Sequence, residues 1–194
     1  MIAEFGHFAL ILALVAAIAQ MILPFWGARR GYGDLMAVAV PAAYAQFLMI
    51  AVAFAALTYA FVTSDFSLDL VARNSHSAKP MLYKWSGVWG NHEGSMLLWV
   101  LTLSLFGAMV AAFGGNLPPV LKALTLSTQA MIGVAFLLFI LLTSNPFIRL
   151  DPAPLDGSGL NPLLQDPGLA FHPPFLYLGY RTVDCVQFCR CCLD

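Results

Sequence analysis

The stretch WSGVWGNHEGSMLLWVLTLSLFGAMVAAF, residues Trp85–Phe113, places a polar turn directly before an apolar run. The apolar part, Gly94–Phe113, has about the 20 residues that a helix needs to cross the hydrocarbon core of a bilayer. A run this long and this rich in Leu and Ala favours a helix, in which every backbone polar group is satisfied within the segment. The stretch therefore predicts a membrane-spanning helix with a polar start at one membrane surface.

Three further apolar runs pass the same length test. They are Phe5–Trp26, Val38–Val62 and Leu121–Leu142. The 194-residue chain is 60% hydrophobic and 10% charged, whereas a soluble domain is about 25% charged. Its net charge of −1 argues against a nucleic-acid partner, which needs clustered Lys and Arg. We therefore predict an all-α, polytopic membrane protein with four transmembrane helices and the start of a truncated fifth at Pro173.

The charges around the first span predict the orientation. No Lys or Arg precedes this span, whereas Arg29 and Arg30 follow it directly. Short cytoplasmic loops carry an excess of basic residues, so the N-terminus is predicted outside and the Arg pair inside. By alternation, residues 27–37 and 114–119 are inner loops, and residues 63–93 are an outer segment. The Pro- and Gly-rich stretch from residue 143 is a second outer loop.

The sequence FHPP contains the first candidate ligand, His172. Pro is favoured at the first helical position, and the residue before a Pro is driven towards extended geometry. We therefore expect His172 to be the last extended residue before a helix that begins at Pro173, on the outer surface. An imidazole exposed there can ligate a metal or a haem iron. The more common alternative is an interfacial histidine that hydrogen-bonds water.

The polar turn before the third span has a structural interpretation. Asn91 suits an N-cap, and Glu93 suits the positive end of the helix dipole. Tryptophans are common at membrane interfaces. The three in this stretch are Trp85, Trp89 and Trp99. On composition alone, a capped helix with an interfacial aromatic belt is the favoured interpretation.

The same turn also has a ligand-binding interpretation. His92, Met96 and Trp99 are spaced four and three residues apart, so they lie on one face of a helix. Together with Trp89, that face offers an aromatic and thioether surface to a planar, hydrophobic ligand. These residues are candidates for contact with a cofactor.

The remaining polar residues favour structural roles. His7 and His76 are expected to be solvated. No Asp or Glu lies in the middle of a span, which argues against an ion-coupled pump. Polar side chains within or near the spans are expected to form interhelical hydrogen bonds. They are Tyr44, Gln46, Ser127, Thr128 and Gln129.

All the cysteines lie at the end of the chain. They are Cys185, Cys189, Cys191 and Cys192. The C-x-x-C spacing lacks the following His of a haem-attachment motif and the second pair of a zinc site. The apolar run that starts at Pro173 changes character at Arg181, so residues 181–194 are expected to be an aberrant, frameshifted tail without a metal.

WSGVWGNHEGSMLLWV and GLNPLLQDPGLAFHPPFLYLGY, the latter spanning Gly159–Tyr180, resemble the CcmF family of cytochrome c maturation proteins. The resemblance covers residues 1–180. It implies a multispan protein of the bacterial inner membrane that belongs to a haem lyase system. Such proteins receive haem from the chaperone CcmE and join it to apocytochrome c on the periplasmic side, with CcmH-type and CcmI-type partners.

The resemblance also implies residue roles. His172 matches the first of two external histidines that are axial ligands of the delivered haem, whereas no ligand role is implied for His92. Family members are considerably longer and carry a tryptophan-rich haem-holding segment that is absent from this sequence. We therefore expect residues 1–180 to be the N-terminal transmembrane region of such a protein, incomplete and inactive alone. A membrane transport subunit and a structural subunit of a respiratory complex are the alternatives.

Overall fold

The computed structural model describes residues 1–159, 161, 165–168 and 170–179, and these residues form helices joined by turns. The α-helices are α1 (Ile2–Arg30), α2 (Gly33–Ala37), α3 (Ala39–Val62), α4 (Asp69–Asn74), α5 (Met81–Gly87), α6 (His92–Phe113) and α7 (Pro119–Leu142). Within this part of the chain, the only strand-like pairing is an isolated antiparallel bridge between Leu68 and Arg149. The predicted all-α class is confirmed.

Four helical segments are long and apolar enough to cross a membrane. They are Ile2–Arg30, Gly33–Val62, His92–Asn116 and Pro119–Leu142. Each contains one of the four spans predicted from the sequence, so the chain is a polytopic membrane protein. A further helical segment, residues 170–179, lies where the start of a fifth helix was predicted. The cysteines and the predicted change of character after residue 180 lie outside the described residues.

The link between the first two spans differs from the prediction. Residues 27–37 were expected to be a loop, but α1 continues to Arg30 and residues Gly33–Ala37 are helical. The guanidinium groups of Arg29 and Arg30 lie over the rings of Phe25 and Trp26, 5.0 and 5.2 Å from the ring centroids. Basic side chains at a helix C-terminus are also favoured by the dipole. These contacts extend the helix beyond the apolar run.

The bundle is built around α1 and α3. Helix α1 packs against α3 and α7, α3 packs against α6, and α6 packs against α7. Small residues let helices approach closely. Such packing is usual in membranes, because lipid tails are as apolar as the side chains and helix association gains no hydrophobic free energy. Buried alanines in the shared core include Ala13 and Ala17 of α1 and Ala53 and Ala60 of α3. Small side chains on both helices are thus consistent with the contact between α1 and α3.

Polar side chains connect the helices in part as predicted. The Gln129 amide of α7 donates to the Leu103 carbonyl of α6. A second link comes from Gln20, which was not singled out in the sequence: its Nε2 donates to the Leu126 carbonyl at 3.0 Å. Ser127 instead donates to the Ala123 carbonyl within its own helix. Hydroxyls are short enough to satisfy themselves locally, whereas the longer glutamine amides reach across.

The predicted outer segments fold over one end of the bundle, and we call residues 63–90 and 143–159 the end cap. Backbone bonds join its two segments: Asp69 N–H donates to the Ile148 carbonyl at 3.0 Å, and Leu150 N–H donates to the Ser67 carbonyl at 2.9 Å. Further along, Ser158 N–H donates to the Ala72 carbonyl at 2.8 Å. The two segments therefore form one structural unit.

Candidate functional site

The turn between α5 and α6 is organised by Asn91. Its Oδ1 accepts the Gly94 N–H at 2.7 Å, which makes Asn91 the N-cap of α6. Its Nδ2 donates to the carbonyls of Gly87 and Val88 at 2.7 and 3.3 Å. The side chain thus joins the end of α5 to the start of α6, and the predicted cap is confirmed.

Gly94 and Ser95 complete the turn. A Cβ at position 94 would overlap the backbone oxygen of Val88, so only glycine fits there. The Ser95 hydroxyl donates to the Trp89 carbonyl at 2.7 Å. These two roles were not predicted from the sequence, because each depends on how closely the chain folds back on itself.

Glu93 and His92 have separate surroundings. The Glu93 Oε1 lies 3.6 Å from the Arg73 Nη2, and Arg73 also pairs with Asp69. The His92 side chain is exposed, and its ring meets the Phe139 ring edge-on with centroids 6.1 Å apart. Glu93 therefore serves the helix start and the end cap, and it is not an acid partner for the neighbouring imidazole.

The two candidate tryptophans both contact the C-terminal helical segment. The Trp89 Nε1–H donates to the Ala170 carbonyl at 2.8 Å. The Trp99 ring meets the Tyr177 ring edge-on at 5.8 Å and tilts against the Phe136 ring at 5.3 Å. Met96, predicted to share this face, is half-buried and packs against the core. The proposed flat surface is therefore largely occupied by the protein itself.

The helix that carries His172 begins earlier than predicted. Residues 167–168 are already helical, and Ala170 N–H donates to the Asp166 carbonyl at 2.9 Å. His172 is inside the helix, so its assignment as the last extended residue before Pro173 was wrong. The upstream pair Asp166–Pro167 provides a favourable start, with an acidic residue followed by a proline. The preference of a residue before proline for extended geometry therefore does not hold at His172, because the helix has already begun upstream.

The C-terminal segment has two distinct faces. Ala170 is buried, and Pro173, Pro174 and Tyr177 are half-buried, whereas His172 is exposed. At about 100° per residue, His172 lies about 200° around the helix from Ala170. His172 is therefore on the opposite face from the one that Trp89 and Trp99 contact. The sequence-based candidates do not form one cluster.

A metal ion and a haem iron place different demands on the side chains of the protein. Within the part of the chain that the structure describes, no three His, Cys, Asp or Glu side chains lie close enough to hold a metal ion. A haem iron is different, because its porphyrin supplies four nitrogens and a protein needs to add only one or two axial ligands. The exposed imidazoles among the described residues are those of His76, His92 and His172, and His172 is the one to which the resemblance assigns this role.

The other two histidines belong to the end of the bundle that carries the end cap. His76 is exposed and its Nε2 lies 3.5 Å from an Asp156 carboxylate oxygen. His7 was expected to be solvated, but it is half-buried and its Nδ1 lies 3.1 Å from Asn145 Nδ2. It lines a cavity of about 300 Å³ beside the Glu4–Arg149 ion pair. The prediction for His7 was wrong because the fold brings a distant loop onto α1.

Comparisons with known proteins agree with the resemblance seen in the sequence. The family model described as "Cytochrome C assembly protein" matches residues 89–189. The chain is 69% identical over 180 residues to "Cytochrome c-type biogenesis protein ccl1" of Rhodobacter capsulatus and 47% identical over 181 residues to CcmF of Escherichia coli. Each match covers 93% of this chain and 28% of the relative.

A solved structure gives the same picture. The "Cytochrome c Heme Lyase CcmF" chain superposes with a TM-score of 0.81 at 28% sequence identity, over 93% of this chain and 28% of that chain. The chain thus spans little more than a quarter of the length of the relatives that it matches. Because the family model covers more than half of the 194 residues and includes both the Asn91 turn and the His172 helix, the chain belongs to the cytochrome c assembly protein family.

Proposed function

We propose that this chain takes part in cytochrome c maturation as the haem-handling N-terminal region of a CcmF-type haem lyase. In this proposal, His172 supplies one axial ligand to the haem that is delivered to apocytochrome c. The observation that carries it is the placement of His172 on the exposed face of a helix whose other face is held by Trp89 and Trp99. The names of the relatives, cytochrome c-type biogenesis proteins and a haem lyase, support the same function.

The proposal includes a location and partners. The membrane is the bacterial inner membrane, with the N-terminus and the end cap on the periplasmic side. Arg29 and Arg30 then lie on the cytoplasmic side, as the positive-inside rule favours. Haem arrives from CcmE, and apocytochrome c is presented by CcmH-type and CcmI-type proteins. Residues 1–180 carry this function, and the residues after them have no assigned part in it.

The chain's residues have three tasks in the proposed function. His172 binds the iron through a neutral imidazole nitrogen, because a protonated ring has no free lone pair. Trp89 and Trp99 hold the helix against the bundle, which lowers the entropy lost when a ligand is bound. The end cap contacts the first turn of α6, next to Asn91, through the Arg73–Glu93 pair. Covalent attachment requires groups that these residues do not provide.

A haem titration of the full chain in lipid nanodiscs tests the ligand assignment. Hemin is added to wild type, to His172→Ala and to the control His76→Ala, which removes an exposed histidine that lies in the end cap. We expect wild type and the control to give the same saturable Soret band, with spectral features of imidazole ligation. The His172→Ala variant is expected to lose those features. Equal spectra for wild type and His172→Ala would contradict the assignment.

A further inference from the structure

The two prolines after His172 leave one backbone carbonyl without its usual donors. In a helix the carbonyl of Ala170 accepts the N–H of residue 174, or of residue 173 in a tighter turn. Both positions are proline, which has no N–H. Ala170 is 3% exposed, so water is excluded from most of its surface. A buried carbonyl without a partner is strongly disfavoured, and one outside donor is needed here.

Trp89 provides that donor from a position 81 residues away in the chain. Its indole N–H can only donate, and its 2.8 Å bond to the Ala170 carbonyl replaces the bond that Pro174 cannot make. The tryptophan is itself held, because its carbonyl accepts the Ser95 hydroxyl and its ring packs against the core. The contact therefore links the Asn91 turn to the Ala170 carbonyl, which loses both of its possible helical donors to the Pro pair.

We propose that Trp89 is a positioning residue: its indole N–H docks the His172 helix by replacing the backbone donor that is absent at Pro174. It acts on His172 through the helix and does not touch haem, since His172 lies on the opposite face. Trp99 supports the same face two turns along, through Tyr177. This inference rests on the proposed ligand role of His172, and it separates the aromatic residues from the haem contact predicted for them.

Two substitutions isolate the hydrogen bond. Trp89→Phe removes the indole N–H and keeps an aromatic ring, and the exposed Trp85→Phe is the matched control. Pro174→Ala restores a backbone N–H that can donate to the Ala170 carbonyl, which makes the indole unnecessary. The docking role therefore predicts that the double variant Trp89→Phe/Pro174→Ala recovers what Trp89→Phe loses. If Trp89 were needed only for packing or for direct contact with haem, Pro174→Ala would not correct the defect of Trp89→Phe.

Hydrogen exchange measures the docking without haem. In the full chain in nanodiscs, we expect amide exchange of residues 170–179 to be about tenfold faster in Trp89→Phe, which corresponds to about 1.4 kcal/mol. The control and the double variant are expected to exchange at the wild-type rate. Wild-type exchange in Trp89→Phe, or fast exchange that Pro174→Ala leaves unchanged, would overturn the docking role.

The haem titration measures the consequence for His172. Trp89→Phe is expected to weaken the apparent affinity for hemin about tenfold, with the wild-type Soret position at saturation because the ligand is the same. The double variant recovers the affinity. If Trp89→Phe binds hemin with wild-type affinity while His172→Ala binds it poorly, only the positioning role of Trp89 is contradicted, and the ligand role of His172 stands. If wild type and His172→Ala bind hemin equally, the proposed function is contradicted. The role of Trp89 in positioning His172 as a ligand is then overturned as well, whatever the hydrogen-exchange data show.

Discussion

Single residues decide the geometry of the turn before α6. Asn91 joins the end of α5 to the start of α6 with three hydrogen bonds, and Gly94 allows the chain to pass directly over the Val88 carbonyl. Trp89 extends from this turn to the Ala170 carbonyl. The conspicuous pair in the sequence, His92 and Glu93, contributes a ring contact and a long ion pair. The turn is formed instead by their neighbours Asn91 and Gly94.

Gly94→Ala is expected to destabilise the protein. The added Cβ overlaps the Val88 backbone oxygen, and because backbone cannot move aside as a flexible side chain can, we expect a loss of at least about 2 kcal/mol. Gly115→Ala is the control, because a Cβ at that position meets nothing within 4 Å. Thermal unfolding in detergent followed by circular dichroism measures both variants. Equal midpoints for the two would contradict the described approach of Gly94 to Val88.

At the scale of elements, the end cap depends on side chains that join segments distant in sequence. The Asp156 carboxylate accepts the Ser77 N–H at 3.0 Å and the Ser77 hydroxyl at 2.5 Å. The Ser77 hydrogen bonds are the main cause that lowers the Asp156 pKa from 3.8 to about 2. The charged carboxylate is thus the form that holds the loop after α4 against the loop after α7.

The end cap is therefore expected to respond to acid in a defined window. Because the folded-state pKa of Asp156 is depressed, its contribution is present above the unfolded pKa near 3.8 and is lost as pH falls through about 2. Amide exchange of residues 75–79, corrected for its intrinsic pH dependence, is expected to be slow at pH 5 and to accelerate below about pH 3. In Asp156→Asn, the amides of residues 75–79 are expected to exchange faster than in wild type at pH 5, and their corrected exchange rate is expected to change little as the pH is lowered. A wild-type profile in that variant would contradict the assignment.

The helices themselves show where sequence patterns succeed and fail. The four spans follow from length and composition, and the start of α6 follows from Asn91. The link at residues 27–37 and the start of the His172 helix were predicted incorrectly. Both errors arise where a local rule competes with another favourable feature: Arg30 lies over Trp26, and the Asp166–Pro167 pair starts the helix upstream of His172.

At the scale of the whole molecule, the orientation in the membrane remains a proposal that a fusion experiment decides. Alkaline phosphatase folds only outside the cytoplasm, so its activity reports the side of the fusion point. A fusion after Pro154, in the end cap, is expected to be active, and one after Gly115, at the other end of the bundle, is expected to be inactive. The reverse result contradicts the placement of the N-terminus in the periplasm.

The sequence by itself determined the class of this protein: long apolar runs leave only membrane-spanning helices, because lipid cannot satisfy an open backbone. It also identified the family through two stretches of specific residues. Tertiary structure decided how those stretches are related, with Trp89 and Trp99 under one face of a helix and His172 on the other. The reason is physical: periodicity and composition are local, whereas the indole bond to Ala170 depends on a donor and an acceptor 81 residues apart.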